Sequence, residues 1–180
     1  MSLLRSAATV GGTTLISRLL GFLRDVMMAA ALGTGPIADA FFVAFRFPNM
    51  FRSIFAEGAF NSAFVPLFAK RLEGEGENAA RRFAEDALAV LLLALVLMTI
   101  AAELAMPWIM LVFAPGFADE PQKFAWAVEF TRIAFPYLLF ISLTALQSAI
   151  LNSLGRFFPG AAAPVMLNVT LIFALLLLLP

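Results

Sequence analysis

Long apolar runs alternate along this chain with short polar or glycine- and proline-containing connections. A membrane-spanning helix needs about 20 predominantly apolar residues. By that measure the pattern predicts five spanning helices, at positions 3–32, 38–69, 83–106, 124–153 and 157–180. The Gly-Thr-Gly-Pro sequence at 33–36 ends the first, and positions 70–82 form the most polar connection. We therefore expect an all-α protein, a polytopic transmembrane helix bundle that forms a single domain over 1–180.

Composition supports a membrane protein and removes several kinds of chemistry. The chain is 62% hydrophobic and 13% charged, whereas soluble domains average about 45–50% and about 25%. A formal net charge of zero argues against a nucleic-acid partner. With no Cys and no His, thiol chemistry, the usual zinc sites and histidine acid–base catalysis are excluded. The acidic run at 73–77 is interpreted as a solvated loop, so we expect no metal and no cofactor.

The connections differ in positive charge, which predicts the orientation. Lys and Arg concentrate in cytoplasmic loops of membrane proteins. With a cytoplasmic N-terminus, the inner side carries Arg5, Lys70, Arg71, Arg81, Arg82 and Arg156, and the outer connections carry only Lys123. We therefore expect the N-terminus inside. The fifth helix then ends outside, in the apolar run 175–180, and we expect the chain to be the N-terminal part of a longer protein.

The first predicted helix carries Arg18, Arg24 and Asp25 in an otherwise apolar segment. One charge at the bilayer centre costs at least about 2.5–3.5 kcal/mol, so these side chains must face protein or a water-filled cavity. Arg18, Gly21 and Asp25 share one helix face. Two interpretations stay open: an internal ion pair that fixes helix packing, or an anion site. Two arginines for one acid leave a positive surplus, which favours the anion site.

The second predicted helix adds further charges and a proline. Asp39 and Arg46 are seven positions apart and share a face. Pro48 favours a bend, which membrane helices tolerate where protein or a cavity covers the freed backbone. For Arg46, a side chain that reaches the interface and one that faces the cavity are equal alternatives, whereas Arg52 is expected to face the cavity. Glu57 is a candidate partner for one of these arginines.

Uncharged polar residues also lie in the fourth and fifth predicted helices. Side chains of this kind often link neighbouring membrane helices, at about 0.6 kcal/mol each. We expect that packing role, and no ligand role, for Gln147, Asn152, Asn168 and Thr170.

Five consecutive motifs resemble the start of the MurJ/MviN lipid II flippases, which belong to the multidrug/oligosaccharidyl-lipid/polysaccharide exporter group. They are S-R-L-L-G-F-L-R-D, A-D-A-F-F-V-A-F-R-F-P-N, F-A-E-G-A-F-N-S-A-F-V-P, A-P-G-F and F-P-Y-L-L-F-I-S-L. The resemblance covers essentially the whole chain. It implies a bacterial inner-membrane protein that moves the undecaprenyl-diphosphate-linked peptidoglycan precursor outward by alternating access, for cell-wall synthesis.

The resemblance also implies a set of site residues. Arg18 and Arg24 would contact the diphosphate and sugar head, and Asp39 and Arg52 match further positions of the family motifs. We expect Arg18, Arg24 and Arg52 to bind the anion, and Asp39 and Asp25 to pair with them or gate the cavity. Gly21 and Pro48 would permit bending. The family has two lobes around a cationic cavity, and this chain would form most of the N-terminal one. The implied partners are the lipid-linked diphosphate substrate, membrane lipids, and the missing C-terminal lobe or a second copy of the chain.

Three other functions are weighed against this one. An exporter of drugs or other polysaccharide lipids belongs to the same group, but a drug exporter usually needs membrane acids rather than an arginine cluster. A membrane scaffold for wall-synthesis enzymes predicts that Lys or Gln can replace the arginines without loss. An enzyme acting on polyprenyl diphosphate lacks His, Cys and a magnesium site, so we expect no enzyme.

Overall fold

A computed structural model describes residues 3–52 and 60–178 of the chain. Its helices are α1 (Leu3–Leu32), α2 (Pro36–Arg52), α3 (Phe60–Gly74), α4 (Glu77–Phe113), α5 (Pro121–Ala134), α6 (Tyr137–Ser153) and α7 (Phe157–Leu178), with a short 3-10 turn at Pro115–Phe117. These ranges contain no strand. The predicted all-α helical bundle is confirmed for the part of the chain that the structure describes.

Within residues 3–52 and 60–178, three helical stretches are long and apolar enough to cross a membrane: α4, the combined stretch Pro121–Ser153, and Phe157–Leu177. The sequence pattern predicted five. Helix α1 has 30 residues, but its arginines, threonines and glycines dilute its apolar character. Helices α2 and α3 have 17 and 15 described residues on either side of positions 53–59, so the second spanning helix stays a prediction. The predicted continuous helix 38–69 includes positions 53–59, which lie outside the described residues.

The polar segment predicted as a loop at 70–82 is helical except at Glu75 and Gly76. Ion pairs one turn apart support both helix ends: Arg71 lies 3.8 Å from Glu75, and Arg81 lies 2.8 Å from Glu85. Gly76 has a φ of 88°, which reverses the chain between the helices. Helix α4 therefore begins at Glu77 rather than at 83, and it continues to Phe113 rather than ending at 106.

The fourth predicted helix, 124–153, is interrupted at Phe135 and Pro136. Pro136 has no backbone N–H, and its ring conflicts with the carbonyl four residues earlier. The chain passes through a tight turn in which the Leu138 N–H donates to the Phe135 carbonyl at 3.0 Å. Helices α5 and α6 follow each other across this turn, and the two-helix stretch begins at Pro121.

The chain divides into two compact units. The first comprises 1–34 and 151–180, in which α1 packs along α7. The second comprises 35–150, in which α2 packs on α5 and α3 on α4. The first unit thus joins segments from the two ends of the sequence, whereas the second is continuous in sequence.

Aromatic rings organise the larger core of the second unit. Phe47 of α2 is buried, with ring centroids 4.6 Å from Phe113 and 5.5 Å from Phe135. Met106 and Met110 of α4 are fully buried in the same cluster. Phe135 is only 1% exposed. The turn between α5 and α6 therefore supplies a central residue of this core.

A smaller cluster joins α3, α4 and α6. The Phe64 ring stacks on Phe68 and on Phe83, both at 5.5 Å. Leu146 of α6 is buried against them, and the Arg71 guanidinium lies 4.9 Å from the centre of the Phe83 ring. The contact of Arg71 with the Phe83 ring thus links the polar segment between α3 and α4 to the smaller aromatic cluster.

We predict that Phe135→Ala destabilises the protein strongly, because it removes the centre of the larger core. The expected loss is about 3–5 kcal/mol in the free energy of unfolding. Thermal melting in detergent, followed by circular dichroism, measures it. Phe140→Ala is the matched control, since Phe140 lies on α6 and is 67% exposed. Equal melting temperatures for the two variants would contradict this description of the core.

Candidate functional site

Arg24 lies at the centre of a polar network between α1 and α7. Its Nε and Nη2 donate to Asp25 Oδ1 at 2.9 and 2.6 Å, and its Nη1 donates to Asn168 Oδ1 at 2.7 Å. The Arg24 side chain is 15% exposed, whereas Asp25 is 63% exposed. Asp25 therefore pairs with Arg24, which is the internal ion pair that the sequence left as one alternative.

Asn168 connects this ion pair to the backbone of α1. It is 6% exposed, and its Nδ2 donates to the Ser17 carbonyl at 2.9 Å. A Cβ added at Gly21 would lie 3.5 Å from Asn168 Nδ2, so the Asn168 amide packs against α1 at Gly21. Gly21 was predicted to permit bending, and in the structure it lies inside the continuous helix α1.

The sequence predicted a packing role for Asn168, but it did not predict the hydrogen bond between Asn168 and Arg24. The two residues are 144 positions apart, and no spacing rule connects residues at that separation. The available signal was chemical, since an amide within the apolar α7 needs a polar partner.

Arg18 lines a cavity of about 330 Å³ within the first unit. The walls include Val10, Phe157, Ala161 and Pro164, with polar groups from Thr14, Ser17 and Asn152. The Arg18 side chain is exposed. In the described part of the chain, no residue forms a hydrogen bond or ion pair with it. The cavity combines one cation with apolar walls, which suits an anionic group joined to an apolar chain.

Asp39 is held by a cation that the sequence analysis did not select. On the first turn of α2, its Oδ2 lies 2.9 Å from Lys123 Nζ. The Lys123 side chain is 13% exposed and also lies 3.6 Å from Glu120 Oε1 and 4.3 Å from the centre of the Phe117 ring. The second unit thus supplies Asp39 with a lysine partner from the beginning of α5, rather than one of the predicted arginines.

The remaining predicted residues of α2 differ in environment. Arg46 is exposed, and Pro48 is buried inside a helix that continues to Arg52. The Asn49 side chain donates to the Phe45 carbonyl at 2.9 Å, next to the carbonyl at 44 that Pro48 leaves without its usual donor. Glu57 and the side chain of Arg52 lie outside the described residues.

The structure therefore distributes the predicted site residues over two units. Arg18, Gly21, Arg24 and Asp25 belong to the first, and Asp39, Arg46 and Pro48 belong to the second. In the first unit, Arg24 pairs with Asp25 and donates a hydrogen bond to the Asn168 amide between α1 and α7. In the second unit, Asp39 pairs with Lys123 at the beginning of α5.

The chain is similar to one protein family over most of its length. The family model described as lipid II flippase MurJ matches residues 28–180. A probable lipid II flippase MurJ of Rhizobium meliloti (strain 1021) is 60% identical over 97% of this chain and 33% of its own length. One of Rhizobium tropici is 56% identical with the same coverage. The lipid II flippase MurJ of Burkholderia cenocepacia is 41% identical over 100% of this chain and 35% of its own.

These matches also define how much of the relatives the chain represents. It spans about a third of the length of the curated relatives it matches.

We predict that Gly21 tolerates one methyl group and no more. The Cβ of Gly21→Ala would make an ordinary van der Waals contact with Asn168, and Ala favours the helix by about 1 kcal/mol. The side chain of Gly21→Leu would displace the Asn168 amide, at a cost of about 1–3 kcal/mol. Thermal melting in detergent should place the Ala variant at or above the unmodified chain and the Leu variant below it. Identical melting of both variants would show that α1 and α7 are not packed as described.

Proposed function

The chain belongs to the lipid II flippase MurJ family, and from that membership we propose that it forms part of a transporter that flips lipid II. Lipid II is the undecaprenyl-diphosphate-linked precursor of peptidoglycan. The transporter would carry it across the bacterial inner membrane by alternating access and so supply cell-wall synthesis.

One observation carries the proposal from the structural side. Arg18 faces a cavity with mostly apolar walls, and the described residues provide it with no counter-ion. A guanidinium can bind a phosphate through two parallel hydrogen bonds. A cation without a partner in an apolar segment is costly, so it requires a functional explanation. A diphosphate head joined to an isoprenoid chain matches both the cation and the walls.

The charge balance of the segment 18–25 supports Arg18 as the cation of this segment that is available to a ligand. Asp25 compensates Arg24 at 2.6 Å. Of the charges at 18, 24 and 25, the surplus positive one is therefore Arg18. We assign Arg24 to the same substrate head, as a guanidinium whose position is fixed by its neighbours.

For the second unit by itself, we propose that Arg52 and Asp39 contribute to substrate binding, as the family resemblance implies, with Arg46 and Glu57 in supporting positions. The hold of Lys123 on Asp39 would keep that carboxylate from neutralising a substrate-binding arginine. The remaining cations of the pathway would come from a second lobe or a second copy of the chain, with membrane lipids around the isoprenoid tail.

The orientation is the second part of the proposal. The three apolar stretches indicate a multi-pass membrane protein, and we place its N-terminus in the cytoplasm. The connection between α3 and α4, together with the adjacent helix ends, carries Lys70, Arg71, Arg81 and Arg82. The connection between α4 and α5 carries none. This asymmetry favours a cytoplasmic α3–α4 connection and an external α4–α5 connection.

Single cysteines test the orientation directly, because the chain has no Cys of its own. Gly74→Cys and Gly116→Cys form a matched pair, since no described residue outside the adjoining chain and helix backbone lies within 4 Å of a Cβ added at either position. In intact spheroplasts, a membrane-impermeant maleimide should label Gly116→Cys at once and Gly74→Cys only after lysis. The reverse order of labelling would overturn the proposed orientation.

Growth of a flippase-depleted bacterial strain tests the transport function. The chain would replace the matching segment of the Burkholderia cenocepacia relative, which gives a full-length transporter. We expect this chimera to sustain growth. Arg18→Gln should abolish growth, because the cation is lost, and Arg18→Lys should restore it in part, because a point charge replaces the two-pronged contact. Arg82→Gln removes an exposed cation outside the proposed site and should grow normally.

The same strains separate the alternatives. Growth with both Arg18→Gln and Arg18→Lys would support a scaffold rather than a transporter. Failure of the unmodified chimera, with its insertion in the membrane verified, would contradict lipid II flipping by this chain. Immunoblots of membrane fractions provide the insertion control for every variant.

A further inference from the structure

We infer that Asn168 is a positioning residue that holds the Arg24 guanidinium in place for an anionic head group, and this inference rests on the proposed function. Asn168 comes from α7, at the opposite end of the chain from Arg24. Its carboxamide accepts from Arg24 Nη1 at 2.7 Å and donates to the Ser17 carbonyl at 2.9 Å. One side chain therefore joins the candidate site to the packing of α1 on α7.

The two partners of Asn168 require an amide. The Arg24 guanidinium only donates hydrogen bonds, and the Ser17 backbone carbonyl only accepts them. A carboxamide offers one acceptor and one donor end, so it satisfies both partners in a single orientation. An ionised Asp of the same shape cannot donate to Ser17, and Leu can bond to neither partner. The chemistry of the two partners thus explains the residue type at 168.

The neutrality of Asn168 matters as much as its shape. Asp25 already places one carboxylate against Arg24 at 2.6 Å. A second carboxylate on the buried side would make the net charge of this group negative and repel an anion. Asn168 fixes the guanidinium from that side without adding a counter-charge. Its 6% exposure places this bond away from solvent, where hydrogen bonds to a charged group are strongest.

The neighbouring backbone leaves room for this arrangement. Gly21 contributes no side chain where the amide approaches α1, and among the described residues the three nearest atoms to a Cβ built there, outside α1's own backbone, belong to Asn168. The amide can therefore reach the Ser17 carbonyl and Arg24 on the same face of the helix. We therefore expect a substitution of Asn168 to change the position of the Arg24 side chain more than it changes the packing of α1 on α7.

Binding of undecaprenyl diphosphate by the full 180-residue chain in nanodiscs tests the inference, with undecaprenol as the uncharged reference. Asn168→Leu should weaken binding about tenfold, as expected for loss of a hydrogen bond to a charged group. Asn168→Asp should weaken it at least as much, because the added carboxylate gives the group of Arg24 and Asp25 a net negative charge. Thr170→Val on the same helix is the control for loss of a polar group, and it should bind like the unmodified chain.

A double-mutant cycle separates positioning from general stability. In an Arg24→Gln background, Asn168→Leu should cause no further loss of affinity, because its effect passes through Arg24. A purely structural role predicts that the two losses of affinity add, and that result would overturn the inference. Binding by Asn168→Leu equal to that of the unmodified chain would also overturn it.

Three further outcomes separate the inference from the proposed function. If thermal melting shows that Asn168→Leu is unfolded, Asn168→Asp decides in its place, and undiminished binding by that variant overturns the inference. If the unmodified chain binds undecaprenyl diphosphate no better than undecaprenol, the proposed function fails, and the inference fails with it. Selective binding by the unmodified chain, unaffected by either Asn168 variant, leaves the proposed function standing and rejects only the positioning role.

Discussion

The first unit depends on how a guanidinium is accommodated inside a pair of apolar helices. An unpaired charge there costs at least about 2.5–3.5 kcal/mol, so α1 can hold Arg24 only with partners in place. Asp25 supplies the counter-charge from the same helix, and Asn168 supplies a neutral acceptor from α7. Because Asn168 also donates to the Ser17 carbonyl, the side chain that stabilises the Arg24 charge also links the facing sides of α1 and α7. Arg18, six residues earlier in α1, lines the cavity.

The second unit meets the same constraint by different means. Asp39 lies at the beginning of a helix, where the positive end of the helix dipole favours an acid. Lys123 reaches it from the beginning of α5 and also covers the Phe117 ring. The interior of this unit is filled by rings and thioethers around Phe47 and Phe135. This close packing of the core holds the helix ends that carry Asp39 and Lys123 in fixed positions.

Local rules predicted much of this structure, and they failed where distant residues decide. Apolar runs predicted an all-α bundle, and the adjacency of Arg24 and Asp25 made their pairing one of two alternatives. The polarity of 70–82 suggested a loop, but most of this segment is helical, and ion pairs one turn apart, such as Arg81 with Glu85, support the helices. Pro136 was visible in the sequence, but only the structure shows that the chain turns there. The partners Asn168 and Lys123 could not be derived, because tertiary contact alone brings them to Arg24 and Asp39.

The central claim is that Arg18, which lines the cavity of the first unit, binds a lipid-linked diphosphate. Nuclear magnetic resonance of the chain with ¹⁵N-labelled arginine tests it most directly, with Arg18→Lys used to assign the Arg18 Nε signal. Addition of undecaprenyl diphosphate should shift that signal strongly, and addition of undecaprenol should leave it unchanged. An Arg18 signal that ignores the diphosphate, or that responds equally to both lipids, would contradict the claim.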